Sequence, residues 1–269
     1  AIFYETLEDS DSLILEFPVP NLESRYRHPV QDYFLLLFNT DTAGSLLSHL
    51  KDKGWATGIS AGGYNIVISQ LSSFYIDVDL TPLGMENYQD VVKAIFTYLQ
   101  MLNDVGPQVW FYKESAQIMQ LGYQFYERPD EVHWAIHTSS NMFNDHMLPE
   151  HILSYGHVID DTVEPQRITE FLQHLNPTNY RLFIGSQKHM SVECTSRTYH
   201  YNVSYHIEQL DPALTEQQID DTNSAEFQFP KPNVFIPENL KMSDSNSIGS
   251  DSEDSAHPQL LKLTDGLEL

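Results

Sequence analysis

Residues 73–80 read SFYIDVDL, a strict alternation with Phe74, Ile76, Val78 and Leu80 on one side and Tyr75, Asp77 and Asp79 on the other. A period of two sends successive side chains to opposite faces of a strand, so this segment demands a sheet with one buried and one wetter face. Directly behind it, Thr81 and Pro82 form an N-cap and first-turn pair for a helix. Val91, Val92, Ile95, Phe96, Leu99 and Leu102 then recur at helical spacing. An apolar sheet face is thus followed at once by an apolar helical stripe able to cover it.

The other elements follow from the same patterns. SLILEFPVP (residues 12–20) is a short apolar run met by two prolines, as a strand would be. DYFLLLFNTDTAGSLLSHLKDKGW holds two helical pieces around a Thr-Asp-Thr-Ala-Gly turn, the second closed by Gly54 just past its end. ATGISAGGYNIVIS is a further β segment, and Gly106 and Pro107 end the long helix. PQVWFYKESAQIMQLGYQF and DEVHWAIHTSSNMF continue as amphipathic helices, with Trp134 and Ile136 in the second expected to pack in the ordinary way. EPQRITEFLQHL is helical from Pro165, and NYRLFIGS returns as a strand. Strands, a run of helices and a strand make an α+β chain with helices packed on one face of a sheet.

Charge and cysteine content narrow the function. Fourteen Lys and Arg stand against 38 Asp and Glu, a net charge of −24. Nucleic-acid and anionic-membrane surfaces need clustered cations, so neither is expected as a partner, and a charge-steered partner is neutral or basic. A single cysteine, Cys194, excludes an internal disulfide and any multi-cysteine zinc site. It is expected as an inert thiol in a reducing, cytoplasmic setting. No apolar run reaches the roughly 18 residues of a membrane-spanning helix, and the N-terminus lacks a signal-peptide profile. The chain begins at Ala1 rather than Met and is expected to be a piece of a longer protein.

After Met242 the composition changes to SDSNSIGSDSEDSAH, rich in Ser and Asp and nearly free of apolar residues. The expected organisation is a folded domain over residues 1–242, a disordered acidic linker over 243–257, and the start of a truncated further domain over 258–269. Ser250, followed by Asp251, Ser252 and Glu253, is either a site for an acid-directed kinase or part of an inert spacer.

The histidines invite a search for metal. HMLPEH (residues 146–151) comes close to the HxxEH zinc motif but is one residue too long. His146 and His151 would lie about 140° apart around a helix, and Pro149 would remove a backbone hydrogen bond. His133 and His137 have the right i, i+4 spacing but no glutamate between them, so all four are expected as surface or satisfied histidines, with no metal site and no catalytic residue. Gly62-Gly63 lacks a surrounding phosphate-binding pattern, and no GxSxG elbow is present. Asp77 and Asp79 share a strand face and form either a carboxylate pair or a solvated face.

LEFPVPNLES, AGSLLSHLKDKGWATGISAGG, FYIDVDLTPLG, GPQVWFYKE, ERP, LNPTNYRLFIGS and FPKPNVFIPENLK occur in an order that resembles the second, non-catalytic domain of the insulysin-like M16 metallopeptidases over residues 13–242. HPQLLKLTDGLEL resembles the beginning of the family's third domain. The resemblance implies an α/β sandwich of the mitochondrial-processing-peptidase type, its mostly antiparallel sheet flanked by helices. It also implies a parent zinc metalloendopeptidase whose HxxEH lies in another domain, so this chain would hold no cofactor itself. Its partners would be a peptide substrate and the remaining domains of the same chain.

The family implies, further, that this domain walls a substrate chamber and carries an exosite where an extended peptide adds as a strand near Asn39, Ile59, Ser60, Ala61 and Gly62. GISAGG is small and flat enough for that, or its glycines serve only a turn or close packing. HYNVSY (residues 200–205) departs from the family's WYGTxY, which leaves open any substrate contact made there. WATGISAGG is similar to the WANELSAGG-like version of fungal members, and the resemblance implies a specialised fungal paralogue, with maturation of the a-factor pheromone precursor as the candidate role. The alternative is a scaffold or interaction domain of a diverged peptidase, with the acidic linker recruiting regulators.

Overall fold

The computed structural model describes residues 1–21, 26–65, 71–127, 130–143, 147–157, 160, 162–189, 192–211, 214, 226–237, 263–264 and 267–268. In chain order the elements are β1 (Ile2–Tyr4), β2 (Asp11–Pro20), α1 (Val30–Phe38), α2 (Leu46–Asp52), β3 (Ala56–Asn65), β4 (Leu71–Leu80), α3 (Pro82–Glu86) and α4 (Tyr88–Val105). There follow α5 (Val109–Gln124), α6 (Glu131–Asn141), α7 (Pro165–His174), β5 (Arg181–Gly185), β6 (Ser196–Arg197) and β7 (Ser204–Ile207). The strands form one sheet in the order β3-β4-β2-β5-β1-β7-β6. Among the described residues only β1 and β5 pair in parallel. The mixed, mostly antiparallel α/β architecture expected from the sequence is the one observed.

The alternation in β4 sets the layers. Phe74, Ile76, Val78 and Leu80 are buried, together with Leu13, Leu15 and Phe17 of β2 and Leu182 and Ile184 of β5. All six stripe residues of α4 are buried in the same core. Aromatic pairs knit the sheet to the helices: Phe17 meets Phe96 edge-on at 6.2 Å, and Phe171 of α7 lies between Phe34 at 5.1 Å and Phe74 at 5.4 Å. Such pairs contribute about 0.5–1.5 kcal/mol each beyond the area they bury.

β2 runs through Pro18 to Pro20 instead of stopping at the prolines. Its pairing with β5 ends at Glu16, so the missing N–H of Pro18 costs no bond on that side.

Two helices depart from the sequence expectation. The helix begun by Thr81 breaks at Asn87, whose side-chain amide donates to the Leu83 carbonyl at 2.7 Å and so competes with the helical backbone. Nor is α6 a packed helix: only Asn141 is buried, while Val132 and Ile136 are 64% and 58% exposed. Its polar His, Thr and Ser positions interrupt any continuous apolar stripe.

A segment far down the chain returns to the helical layer. Phe227 is buried against His49 and Tyr98, Gln228 N–H donates to the Gly44 carbonyl at 3.0 Å, and Phe229 meets Phe111 at 5.3 Å. These contacts belong to a unit of residues 1–233.

Residues 234–269 form a second unit, in which β8 (Leu263–Thr264) pairs antiparallel with β9 (Leu267–Glu268). The linker over 243–257, Ser250 and His146 lie outside the described residues. No helix among the described residues is long and apolar enough to cross a membrane.

Candidate functional site

Among the described residues β3 is an edge of the seven-stranded sheet and pairs with β4 alone. In an antiparallel ladder, alternate residues direct both backbone groups toward the partner strand or away from it. Ala61 N–H donates to Asn39 Oδ1 at 3.1 Å, a side chain that lies outside the ladder. Ala61 therefore faces outward, and by alternation Ile59 and Gly63 do too, whereas Ser60 and Gly62 turn their backbone groups to β4. The structure thus brings Asn39 and the strand segment together and sorts that segment into outward and inward positions. Gly63 is an outward residue next to this segment that the sequence reading did not include. Its parity with Ile59 and Ala61 was the available signal.

Asn39 is held firmly at this place. It is the C-cap residue of α1, its own N–H bonding to the Leu35 carbonyl, and the helix is closed by Thr40 Oγ1 on the Leu36 carbonyl at 2.7 Å. The following loop is tied down in turn by Ser45, whose hydroxyl accepts from Ser48 N–H at 3.2 Å, and by the Lys51–Asp41 ion pair at 2.6 Å. The lower end of β3 carries a register shift between Ala56 and Gly58, an irregularity that twists and blunts an open edge.

On the sheet face away from the helices, Gly58 and Gly62 are occupied by neighbours. A Cβ on Gly62 would meet Tyr75 Oη at 2.6 Å, and one on Gly58 would meet Asp79 Oδ2 at 2.6 Å. These glycines therefore seat the β4 side chains, whatever else they allow. Burial first, and Asp79 second, push the Asp77 carboxyl up, and Asp77 Oδ1 has no hydrogen-bond partner among the described residues. Farther in, Glu16 accepts from Ser73 Oγ at 2.7 Å and pairs with Arg181 at 3.1 Å.

The other candidates have ordinary partners. His151 Nδ1 lies 2.7 Å from Tyr26 Oη, and HMLPEH contributes a single 3-10 turn, Pro149–His151, instead of a helix. His133 bonds to Asp130 at the N-cap of α6, and the His137 ring lies 6.4 Å from that of His157. Burial, followed by the charge of His137, lowers the pKa of His157. Among the described residues no group of three or more His, Cys, Asp or Glu is placed to hold a metal ion. The Cys194 thiol is pushed up by burial and then by Glu5, and it donates to the Phe3 carbonyl at 3.7 Å.

HYNVSY runs from the turn between β6 and β7 into the start of β7, and in the turn Asn202 adopts φ 53° at the place of the family motif's glycine. Asn is among the few residues that take up that conformation readily. The turn leaves Tyr199 and Tyr201 95% and 83% exposed.

Comparison with known proteins bears on this arrangement. Residues 2–118 match the family model described as the peptidase M16 inactive domain, and residues 123–269 match that of the middle or third domain of peptidase M16. A nardilysin-like protein of Arabidopsis thaliana is 31% identical over 87% of this chain and 23% of its own length. The insulin-degrading enzyme of Homo sapiens is 30% identical over 96% of this chain and 24% of its own length. The A-factor-processing enzyme of Saccharomyces cerevisiae is 28% identical over 90% and 23%. The chain therefore spans about a quarter of the length of these relatives. The crystal structure of pitrilysin shares the fold at a TM-score of 0.82 with 22% identity, covering 99% of this chain and 27% of that one. The two family models together span nearly all of the sequence, and the chain belongs to the M16 peptidase family, in its inactive-type and middle domains.

Proposed function

We propose that this chain walls the substrate chamber of an insulysin-like zinc metalloendopeptidase and that the β3 edge anchors an extended peptide by strand addition. The observation that carries the reading is the outward row at Ile59, Ala61 and Gly63 on a strand that, among the described residues, is paired on one side only. Family membership supplies the peptidase context. Catalytic zinc and its HxxEH ligands would belong to a part of the longer protein outside this sequence. This chain's contribution is to bind and orient. Each backbone hydrogen bond contributes about 0.5–1.5 kcal/mol net, so a few of them make a moderate anchor that aligns a long peptide without trapping it. The WATGISAGG motif, together with the likeness to the yeast A-factor-processing enzyme, supports a role in maturing a peptide pheromone precursor.

Ala61→Pro in the full-length enzyme tests the anchor. Ala61 N–H takes no part in the β3–β4 ladder, so proline there breaks no sheet bond, and edge strands tolerate it. Proline gives up the bond to Asn39 and adds a ring at a buried position, so some loss of melting temperature is expected; in the folded variant the KM for long peptides should rise roughly 5- to 10-fold with zinc content unchanged. An unchanged KM for long peptides in the folded variant would overturn the reading.

A further inference from the structure

One donor of the β3 edge, the N–H of Ala61, is not free in this structure. In the outward row Ala61 lies between Ile59 and Gly63, and its N–H is held by Asn39 Oδ1 at 3.1 Å. Asn39 is itself exposed, yet its backbone is fixed at the end of α1, so its side chain reaches back across 22 positions of sequence to the strand. A peptide adding to this edge needs the same N–H for one of its own carbonyls. Two acceptors compete for one proton.

Building on the strand-addition reading, we propose that Asn39 is a displaceable clamp on the β3 edge, an acceptor that satisfies Ala61 when no peptide is bound and must swing away for a strand to pair. Open edges invite unwanted pairing between protein molecules, and the commonest protections are charge, proline, bulges and covering side chains. β3 has a register shift at its start but neither proline nor a charged residue along its length. A neutral carboxamide suits a reversible guard. It satisfies the donor as well as a peptide carbonyl does, gains no charge-assisted strength, and can leave by side-chain rotation alone because it faces solvent. The clamp sets the threshold a peptide must exceed: a segment able to pair with Ile59 and Gly63 at once displaces it, and one that reaches only Ala61 gains nothing.

The test measures binding of a short fluorescein-labelled peptide of alternating valine and threonine with an N-terminal lysine, by fluorescence anisotropy. The proteins are the unmodified chain, Asn39→Ala, Asn39→Asp, Ala61→Pro, and Ala61→Pro combined with Asn39→Ala, each checked by circular dichroism to be folded at the assay temperature. Asn39→Ala should tighten binding about 2- to 10-fold, the equivalent of one neutral hydrogen bond no longer broken on association. Asn39→Asp, a charged acceptor of the same shape, should weaken it. In the Ala61→Pro background, where the contested N–H is gone, Asn39→Ala should have no effect. Unchanged or weakened binding in Asn39→Ala, with Ala61→Pro still defective, overturns the clamp and leaves strand addition standing. If Ala61→Pro binds the peptide as well as the unmodified chain, strand addition itself is overturned.

Discussion

Asp32 shows how one side chain ties this fold to pH. It sits in the first turn of α1, where the helix dipole favours a negative charge, yet burial pushes its carboxyl up to about 6. The folded state then holds a proton that the unfolded chain has released. Between about pH 4 and 6 the folded protein binds more protons, so stability falls as pH rises through that window. Above it the desolvated carboxylate costs up to about 3 kcal/mol. Asp32→Asn is therefore expected to raise the melting temperature by several degrees at pH 7 and to leave it unchanged near pH 3.5, which thermal unfolding at the two pH values checks. Gly84 obeys a plainer constraint: a Cβ there would collide with the Trp55 carbonyl oxygen, so this position is closed to every other residue without backbone movement.

At the scale of elements, α4 and α6 contrast. Both carry apolar residues, but α4 buries its stripe and α6 exposes Val132 and Ile136. Ile95→Ala should cost about 2–5 kcal/mol, since it empties a fully enclosed site. Val132→Lys and Ile136→Glu should each stay within about 0.5 kcal/mol. Urea unfolding of the three variants separates them, and a large loss in either α6 variant would show that helix to be part of the core. β3 belongs to neither kind: Ala56 and Ala61 are buried in the core, while the backbone of Ala61 faces out, so one element serves the core and an edge together.

For the whole molecule, the described residues show a core, a sheet edge and no cluster of metal ligands. We expect the 269-residue chain on its own to fold, to bind no stoichiometric zinc and to cleave no peptide. Three spaced ligands and an activating base are needed for that chemistry, and His151 is already engaged by Tyr26. Metal analysis of the purified chain and a fluorogenic peptide assay check this. Zinc retained in equal amount, and lost together with activity in His151→Ala, would refute it.

Local periodicity was enough for the alternation of β4, the stripe of α4, the Thr81-Pro82 start and the glycine stops at Gly54 and Gly106, because each depends on side chains a few residues apart. The order of sequence fragments was likewise enough to point to the M16 family. Only the tertiary structure decided that β1 lies in parallel beside β5, that Phe227 and Phe229 return to the helices, and which backbone groups of β3 face outward. It also decided that Asn39 meets Ala61. Periodicity assigns a residue to a face, whereas strand order, register and a contact across the chain arise from packing between segments whose separation in sequence carries no signal of their meeting.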